Sequence, residues 1–225
     1  MKVRIKFTKT GILKYIGHLD LMRYFQKALR RTDIEVMYSK GFSPHMIMSF
    51  AQPLGVGVES LGEYFDLEIS DNEDVSLIKD KLNATMAEGI TIESVCVLPE
   101  KSENAMASVK AADYYIDFYD KKPDLSLLKK TFDDSSELFY EKETKSGKKE
   151  INVKEFTFEF RIDDDKIFIK TDASSGGNLK PGALLEALFN KAGLDLNEYK
   201  YHVLRLDLFT LNENNEFVSL GLIYA

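Results

Sequence analysis

Lys2 to Phe7 alternates basic and apolar residues and runs into a turn at Lys9-Thr10-Gly11, a pattern that predicts a first strand. From Leu19 to Arg31 the period becomes helical. At about 100° per residue, Leu21, Met22, Phe25, Ala28 and Leu29 share one arc, while Arg23, Lys27, Arg30 and Arg31 share the opposite one. The first arc is the expected core face and the second a basic stripe; Asp20, near the helix start, is the expected cap and dipole partner. Ile34 to Tyr38 reads as a second strand, Glu63 to Ile69 as a third, Val75 to Met86 as a helix, and Ile90 to Leu98 as a fourth strand closed by Pro99.

Between the second and third strands lies a stretch that cannot be an ordinary helix. Residues 38–62 hold Gly41, Gly55, Gly57 and Gly62 together with Pro44 and Pro53, so a long loop of specified shape is expected there. Shaped loops carrying polar side chains are where scaffolds keep function. Its alternative use is to cover a sheet edge.

The second half repeats the scheme: a connection over Lys101–Val109, a strand at Tyr114–Tyr119, a helix at Leu125–Phe132 and a strand at Glu137–Lys142. The polar stretch Glu141 to Glu150 reads as a loop or hairpin tip. A hairpin follows, Phe156–Phe160 returning through Ile167–Ile169. Pro181 opens a helix that Gly193 ends, and the closing strands are Tyr199–Leu211 and Phe217–Ile223. The expected class is α+β, two tandem ferredoxin-like (split βαβ) sandwiches, the first over residues 1–99 with its motif loop at 38–62 and the second over residues 112–225.

Charge and composition refine this outline. The 225 residues carry a formal net charge of −7, yet residues 1–60 contain ten Lys/Arg against four Asp/Glu, a surplus of +6 that leaves −13 on the remainder. A basic head suits a polyanion or an acidic protein partner. No apolar run approaches the ~18 residues of a membrane span, and the N-terminal residues read as a strand rather than a signal peptide, so a cytoplasmic location is expected. The single cysteine, Cys96, excludes a disulfide framework and a cysteine cluster within the chain.

No phosphate-binding, dinucleotide or nucleophile-elbow motif occurs. The candidates for chemistry are His18 and His45, which could act as an acid–base pair or bind a metal with Asp20 or Glu59 if the fold made them converge. His202, in a strand beside Arg205, reads as structural. The candidates for binding are Tyr15, Tyr24, Tyr38 and Phe42, able to stack on bases, with Arg23, Lys27, Arg30, Arg31 and Lys40 holding phosphates and Lys145, Lys148 and Lys149 adding a second contact. The competing expectation buries Tyr38 and Phe42 beneath the loop.

Seven stretches resemble one known family: Gly17-His-Leu-Asp-Leu-Met-Arg23 with Ala28-Leu-Arg-Arg31, Tyr38-Ser-Lys-Gly-Phe-Ser-Pro-His45, Pro53-Leu-Gly-Val-Gly-Val-Glu-Ser60 with Glu63-Tyr64, and, further on, Thr144–Val153 with Asn178–Leu188. These are similar to the radical-SAM-linked family, a bacterial domain of unknown function found alone or fused to the C-terminus of a radical S-adenosylmethionine enzyme. Gly17 stands where Ser is as frequent, and Asn152 where Asp is usual. The resemblance implies a radical-SAM partner and, through the family's setting near RNA and ribosome genes, RNA or ribosome-related modification. The chain lacks the three clustered cysteines of such an enzyme, so no cofactor is expected here and the partner would carry the iron–sulfur cluster and S-adenosylmethionine. The leading expectation is therefore a non-catalytic accessory that binds substrate or RNA, with His18, Asp20, Tyr38, Ser39, His45 and Glu59 forming its cleft. A stand-alone RNA-processing enzyme using His18 and His45, and a protein-interaction scaffold, are the alternatives.

Overall fold

The computed structural model describes residues 1–144 and 147–224. In chain order its elements are β1 (Lys2–Lys9), a 3-10 turn (Gly11–Tyr15), α1 (His18–Leu29), β2 (Met48–Phe50), β3 (Glu59–Glu68), α2 (Val75–Asn83), β4 (Ile92–Val97) and α3 (Ala105–Ser108). There follow β5 (Ala111–Phe118), α4 (Leu125–Asp134), β6 (Phe139–Thr144), β7 (Gly147–Asn152), β8 (Thr157–Asp163), β9 (Lys166–Asp172), α5 (Pro181–Ala192), β10 (Tyr201–Leu211) and β11 (Phe217–Ser219). The protein is thus α+β, with largely antiparallel strand pairing and few helices. Among the described residues no helix is long and apolar enough to cross a membrane.

Two compact units result, one of Met1–Lys110 with Arg205–Ala225 and one of Ala111–Leu204. The domain expected over 112–225 is therefore divided. From Arg205 onward the chain bonds to the first unit, Arg205 to Glu63 and Asp207 to Lys6 and Tyr64.

In the first unit the strand order is β4-β1-β3, with β1 antiparallel to both neighbours. The far edge of β3 is shared: Met48–Phe50 pairs with Phe65–Leu67, and β10 lies alongside β3 as well. Val3, Ile5, Phe7, Phe65, Leu67 and Ile69 point from the sheet into a core that Leu21, Phe25 and Leu29 of α1 and Ile78 and Leu82 of α2 complete. Its centre is aromatic. Phe25 lies 4.8 Å from both Phe7 and Phe65, and Phe50 stacks on Phe65 at 5.1 Å. On α1 the apolar arc is buried as its periodicity predicts, with Met22 packed at the margin.

The expected strand at 34–38 is reduced to two isolated bridges, Val36 to Ile69 and Tyr38 to Met46. The reason is competition. Met48–Phe50, inside the expected loop, takes the edge of β3 at residues 65–67, and the earlier segment reaches only its end.

In the second unit β5 lies between β9 and Tyr201–Leu204 of β10, with β8 outside β9. Asp164, at φ 53°, turns the β8–β9 hairpin. The core gathers Phe118, Leu128, Leu138, Val153, Ile167 and Ile169 with Leu184, Leu185, Leu188 and Phe189 of α5. The polar stretch 141–150 belongs largely to strands: β6 and β7 pair from Phe139–Asn152 to Thr144–Gly147, with Lys148 bonded to Glu141 at 2.5 Å. That ion pair runs diagonally across the ribbon and helps hold a strand pair that hydropathy alone does not reveal.

Candidate functional site

Residues 34–38 form an irregular arm, and the 38–62 insertion that follows returns through β2, which divides it into two lobes. The later one, Gln52–Glu59, folds back on the start of α1. Gly57 N–H donates to the Lys14 carbonyl at 2.9 Å, Glu59 Oε1 accepts from Gly11 N–H at 2.8 Å, and Lys14 Nζ stands 3.5 Å from the same carboxylate. The His18 ring meets Phe50 edge-on at 5.5 Å.

Beneath this lobe lies a buried ionic cluster. Arg205 Nη1 donates to Glu63 Oε1 at 2.9 Å, to Oε2 at 3.1 Å and to the Gln52 carbonyl at 3.2 Å. Lys9 Nζ donates to the Ile16 carbonyl at 2.8 Å. Lys9, Glu63 and Arg205 are each at most 4% exposed. Burial pushes the Glu63 carboxyl up against the pull of Arg205, and burial lowers the Lys9 ammonium although Glu63 opposes it. The three charges thus hold the backbone on either side of them, Ile16 before α1 and Gln52 in the lobe. Gly62 makes the close approach possible: a Cβ there would lie 2.7 Å from the Leu206 carbonyl oxygen and 2.8 Å from Asp207 Cα.

The earlier lobe, Ser39–His45, is tied to its own base. Ser39 N–H donates to the His45 carbonyl at 2.9 Å, His45 N–H to Ser39 Oγ at 3.1 Å, and His45 Nδ1 lies 2.9 Å from the same oxygen. Below, Ile47 N–H bonds to Met37 O, and Met37 N–H to Glu68 O. The result is a finger with a closed stem. Gly41 turns its tip at φ 115°, where a side chain would be strained. Phe42 stands at 110% relative exposure and Tyr38 at 45%, with Lys40 exposed between them. The expectation that Phe42 and Tyr38 pack beneath the loop is overturned.

On α1, Arg23 and Lys27 are exposed, as are Arg30 at its C-cap and Arg31 beyond it. Arg23 pairs with Asp20 at 3.3 Å, and Arg31 Nη2 donates to the Thr85 carbonyl at 2.8 Å. Asp20 does not cap the helix. Gly17 occupies the N-cap, and Asp20 in the first turn still faces the positive end of the helix dipole. Of the aromatics, Tyr15 is exposed, whereas the Tyr24 hydroxyl accepts the Ala87 N–H at 2.6 Å and so belongs to the fold. Lys148 and Lys149 are exposed on β7; Lys145 lies outside the described residues.

The proposed cleft residues therefore separate into groups. Ser39 and His45 meet, Glu59 joins Lys14 and Gly11, Asp20 joins Arg23, and His18 packs on Phe50. The described contacts do not join the two histidines. Among the described residues no group of three His, Cys, Asp or Glu side chains is placed to hold a metal ion.

Two networks lie beyond what the sequence pattern indicates. One is the Lys9–Glu63–Arg205 cluster, whose only signal is parity: Lys9 and Glu63 fall on the inward positions set by Phe7 and Phe65. The other surrounds Asp207, which accepts from Lys6 at 3.0 Å, Ser219 at 2.7 Å and the Tyr64 hydroxyl at 2.5 Å. Burial and the Asp207 charge push that hydroxyl's pKa up. A cleft of about 510 Å³ opens beside it, with Glu93 and Asp207 against the single cation Lys6. Such a balance does not suit a phosphate.

The model of a family described as "Uncharacterized protein conserved in bacteria (DUF2344)" matches residues 2–181. No curated protein matches the chain.

Proposed function

The chain belongs to that bacterial family, and on this footing we propose that it is a non-catalytic accessory that binds single-stranded RNA and presents it to a partner enzyme. The observation that carries the reading is the finger: Tyr38, Lys40 and Phe42 are exposed together on a loop whose stem is closed by Ser39 and His45. Water gives a phenylalanine no reason to stand fully exposed, whereas a base stacked on it contributes about 1–3 kcal/mol. The neighbouring lysine supplies a phosphate contact, and the exposed Lys27 and Arg30 extend the positive field along α1.

The partner in this proposal is a radical S-adenosylmethionine enzyme holding its own iron–sulfur cluster and S-adenosylmethionine. That part rests on the resemblance of Gly17–Arg23, Tyr38–His45 and Pro53–Ser60 to the radical-SAM-linked family. RNA or ribosome-related modification in the bacterial cytoplasm is the setting it implies. We also infer two tandem ferredoxin-like sandwiches. The supporting observation is strand order: β4-β1-β3-β2 in the first unit, and β10-β5-β9-β8 in the second with β6–β7 as an insertion, both follow the split βαβ order.

Titration of a labelled single-stranded RNA with the full chain at several salt concentrations tests the binding. Affinity should fall steeply as salt rises, and a Lys27→Glu/Arg30→Glu variant should bind more weakly with a shallower salt slope, by about 0.7 for each phosphate the variant leaves unneutralised. An unchanged slope in that variant removes α1 from the interface. Absence of binding at low salt removes the proposal.

A further inference from the structure

Where the later lobe folds onto the approach to α1, the first unit carries more large apolar side chains than its core takes in. In the 3-10 turn Gly11–Tyr15, residues three apart share a face. Leu13, and Ile16 just beyond the turn, pack against the core, so Ile12 and Tyr15 point the other way. On α1, Leu19 lies opposite the buried arc of Leu21, Phe25 and Ala28. In the lobe Leu54 is buried and Val56 is not. The N–H of Gly57, next to Val56, donates to the carbonyl of Lys14, next to Tyr15, and so joins lobe to turn at this place. Ile12, Tyr15, Leu19 and Val56 are each between 60% and 83% exposed. We propose that this patch is a self-association surface, on which a second copy of the chain docks about a twofold axis.

Single exposed hydrophobic residues are ordinary; four on neighbouring segments are not. Together they leave roughly 500 Å² of side chain bare, well over half of the ~800 Å² that each partner brings to a standard interface. The backbone beneath them is already fixed. Lys9 holds the Ile16 carbonyl, Arg205 holds the Gln52 carbonyl, and Glu59 accepts the Gly11 N–H. Docking therefore orders little backbone and loses little entropy.

The margin of the patch selects the occupant. Its charges come as opposite pairs, Lys14 with Glu59 at 3.5 Å and Asp20 with Arg23 at 3.3 Å, and they sum to zero. A phosphate backbone or an anionic lipid surface is held by a surplus of positive charge. That surplus sits further along, at Lys27 and Arg30. A surface that is apolar at its centre and carries both signs equally at its rim is its own complement, which is the condition for an isologous interface. Asp20 and Arg23 share the outer face of α1 with Leu19, and both side chains are open to solvent. Across a twofold axis Arg23 of each copy meets Asp20 of the other, and the two signs fix the register of the contact.

Sedimentation equilibrium of the full chain from about 1 to about 100 µM tests this. The mean mass should rise from the chain mass of 25.7 kDa toward twice that value. Ile12→Asp/Val56→Asp should keep the single-chain mass throughout with an unchanged melting temperature, a loss of affinity of about 100-fold or more. Asp20→Arg and Arg23→Asp should each associate weakly alone, since like charges then face one another, and an equimolar mixture of the two should recover the dimer. A wild type that stays at single-chain mass, a dimer that survives Ile12→Asp/Val56→Asp, or charge variants that associate no better together than apart each overturns the proposal. A monomeric wild type that sediments with phosphatidylglycerol vesicles, and ceases to in Ile12→Asp/Val56→Asp, overturns it in favour of a lipid surface.

Discussion

The two lobes of the insertion are built from the same residue types and are held in opposite ways. Gln52–Glu59 is fastened from outside itself, by Lys14, Gly11 and the buried Arg205. Ser39–His45 is fastened only across its own stem, and it lifts Phe42 and Lys40 into water. The difference separates two uses of glycine and proline. In the later lobe they let backbone approach backbone closely enough for three charges to be sealed beneath it. In the earlier one they make a narrow turn that carries Phe42 and Lys40 out into water. A lobe that commits its polar groups to anchoring has few left for a ligand, so function is assigned to the other.

The largest expected effect lies in the anchored lobe. Arg205→Met leaves the Glu63 carboxylate buried without its guanidinium, and the unfolding free energy should fall by about 3–5 kcal/mol in denaturant titration. The double variant Glu63→Leu/Arg205→Met should recover part of that loss, since no lone charge remains. A loss below about 1 kcal/mol for the single variant would show that the cluster does not anchor the lobe, and the contrast between the lobes would weaken.

The smallest effect concerns Lys9. Burial lowers its ammonium below 10.5, so the folded state releases this proton at a lower pH than the unfolded chain does. In the window between the lowered value and 10.5 the unfolded chain binds more protons, and stability rises with pH there. Wild type should therefore gain stability relative to Lys9→Met as the pH goes from about 8 to about 10. A difference that stays flat or narrows would mean that Lys9 is not desolvated.

Much of the fold is legible in the sequence because periodicity reports burial. The α1 arc, the Pro181 start and Gly193 end of α5, and the β8–β9 hairpin all follow from spacing and turn residues. Residues 34–38 carry a strand pattern yet form only bridges, because such a pattern does not say which segment wins a contested edge; Met48–Phe50, at the end of the largely apolar run Met46–Phe50, wins it. The polar β6–β7 pairing escapes hydropathy because its cross-strand pair is ionic. At the candidate site the sequence locates the finger's residues. It does not tell Phe42 exposed from Phe42 buried, because a hydrophobic residue in a loop is compatible with either. The anchoring cluster is hidden by distance, since Lys9 and Glu63 meet Arg205 only after the chain has passed through the whole second unit.

Phe42→Ala, measured for RNA affinity and for thermal stability in the same preparation, tests the central claim most directly. Single-stranded RNA affinity should fall by about 1–3 kcal/mol, roughly 5- to 150-fold, while stability stays within about 0.5 kcal/mol of wild type. Unchanged affinity, or a loss of stability that accounts for the weaker binding, would contradict the assignment of this finger as the part of the molecule that holds the ligand.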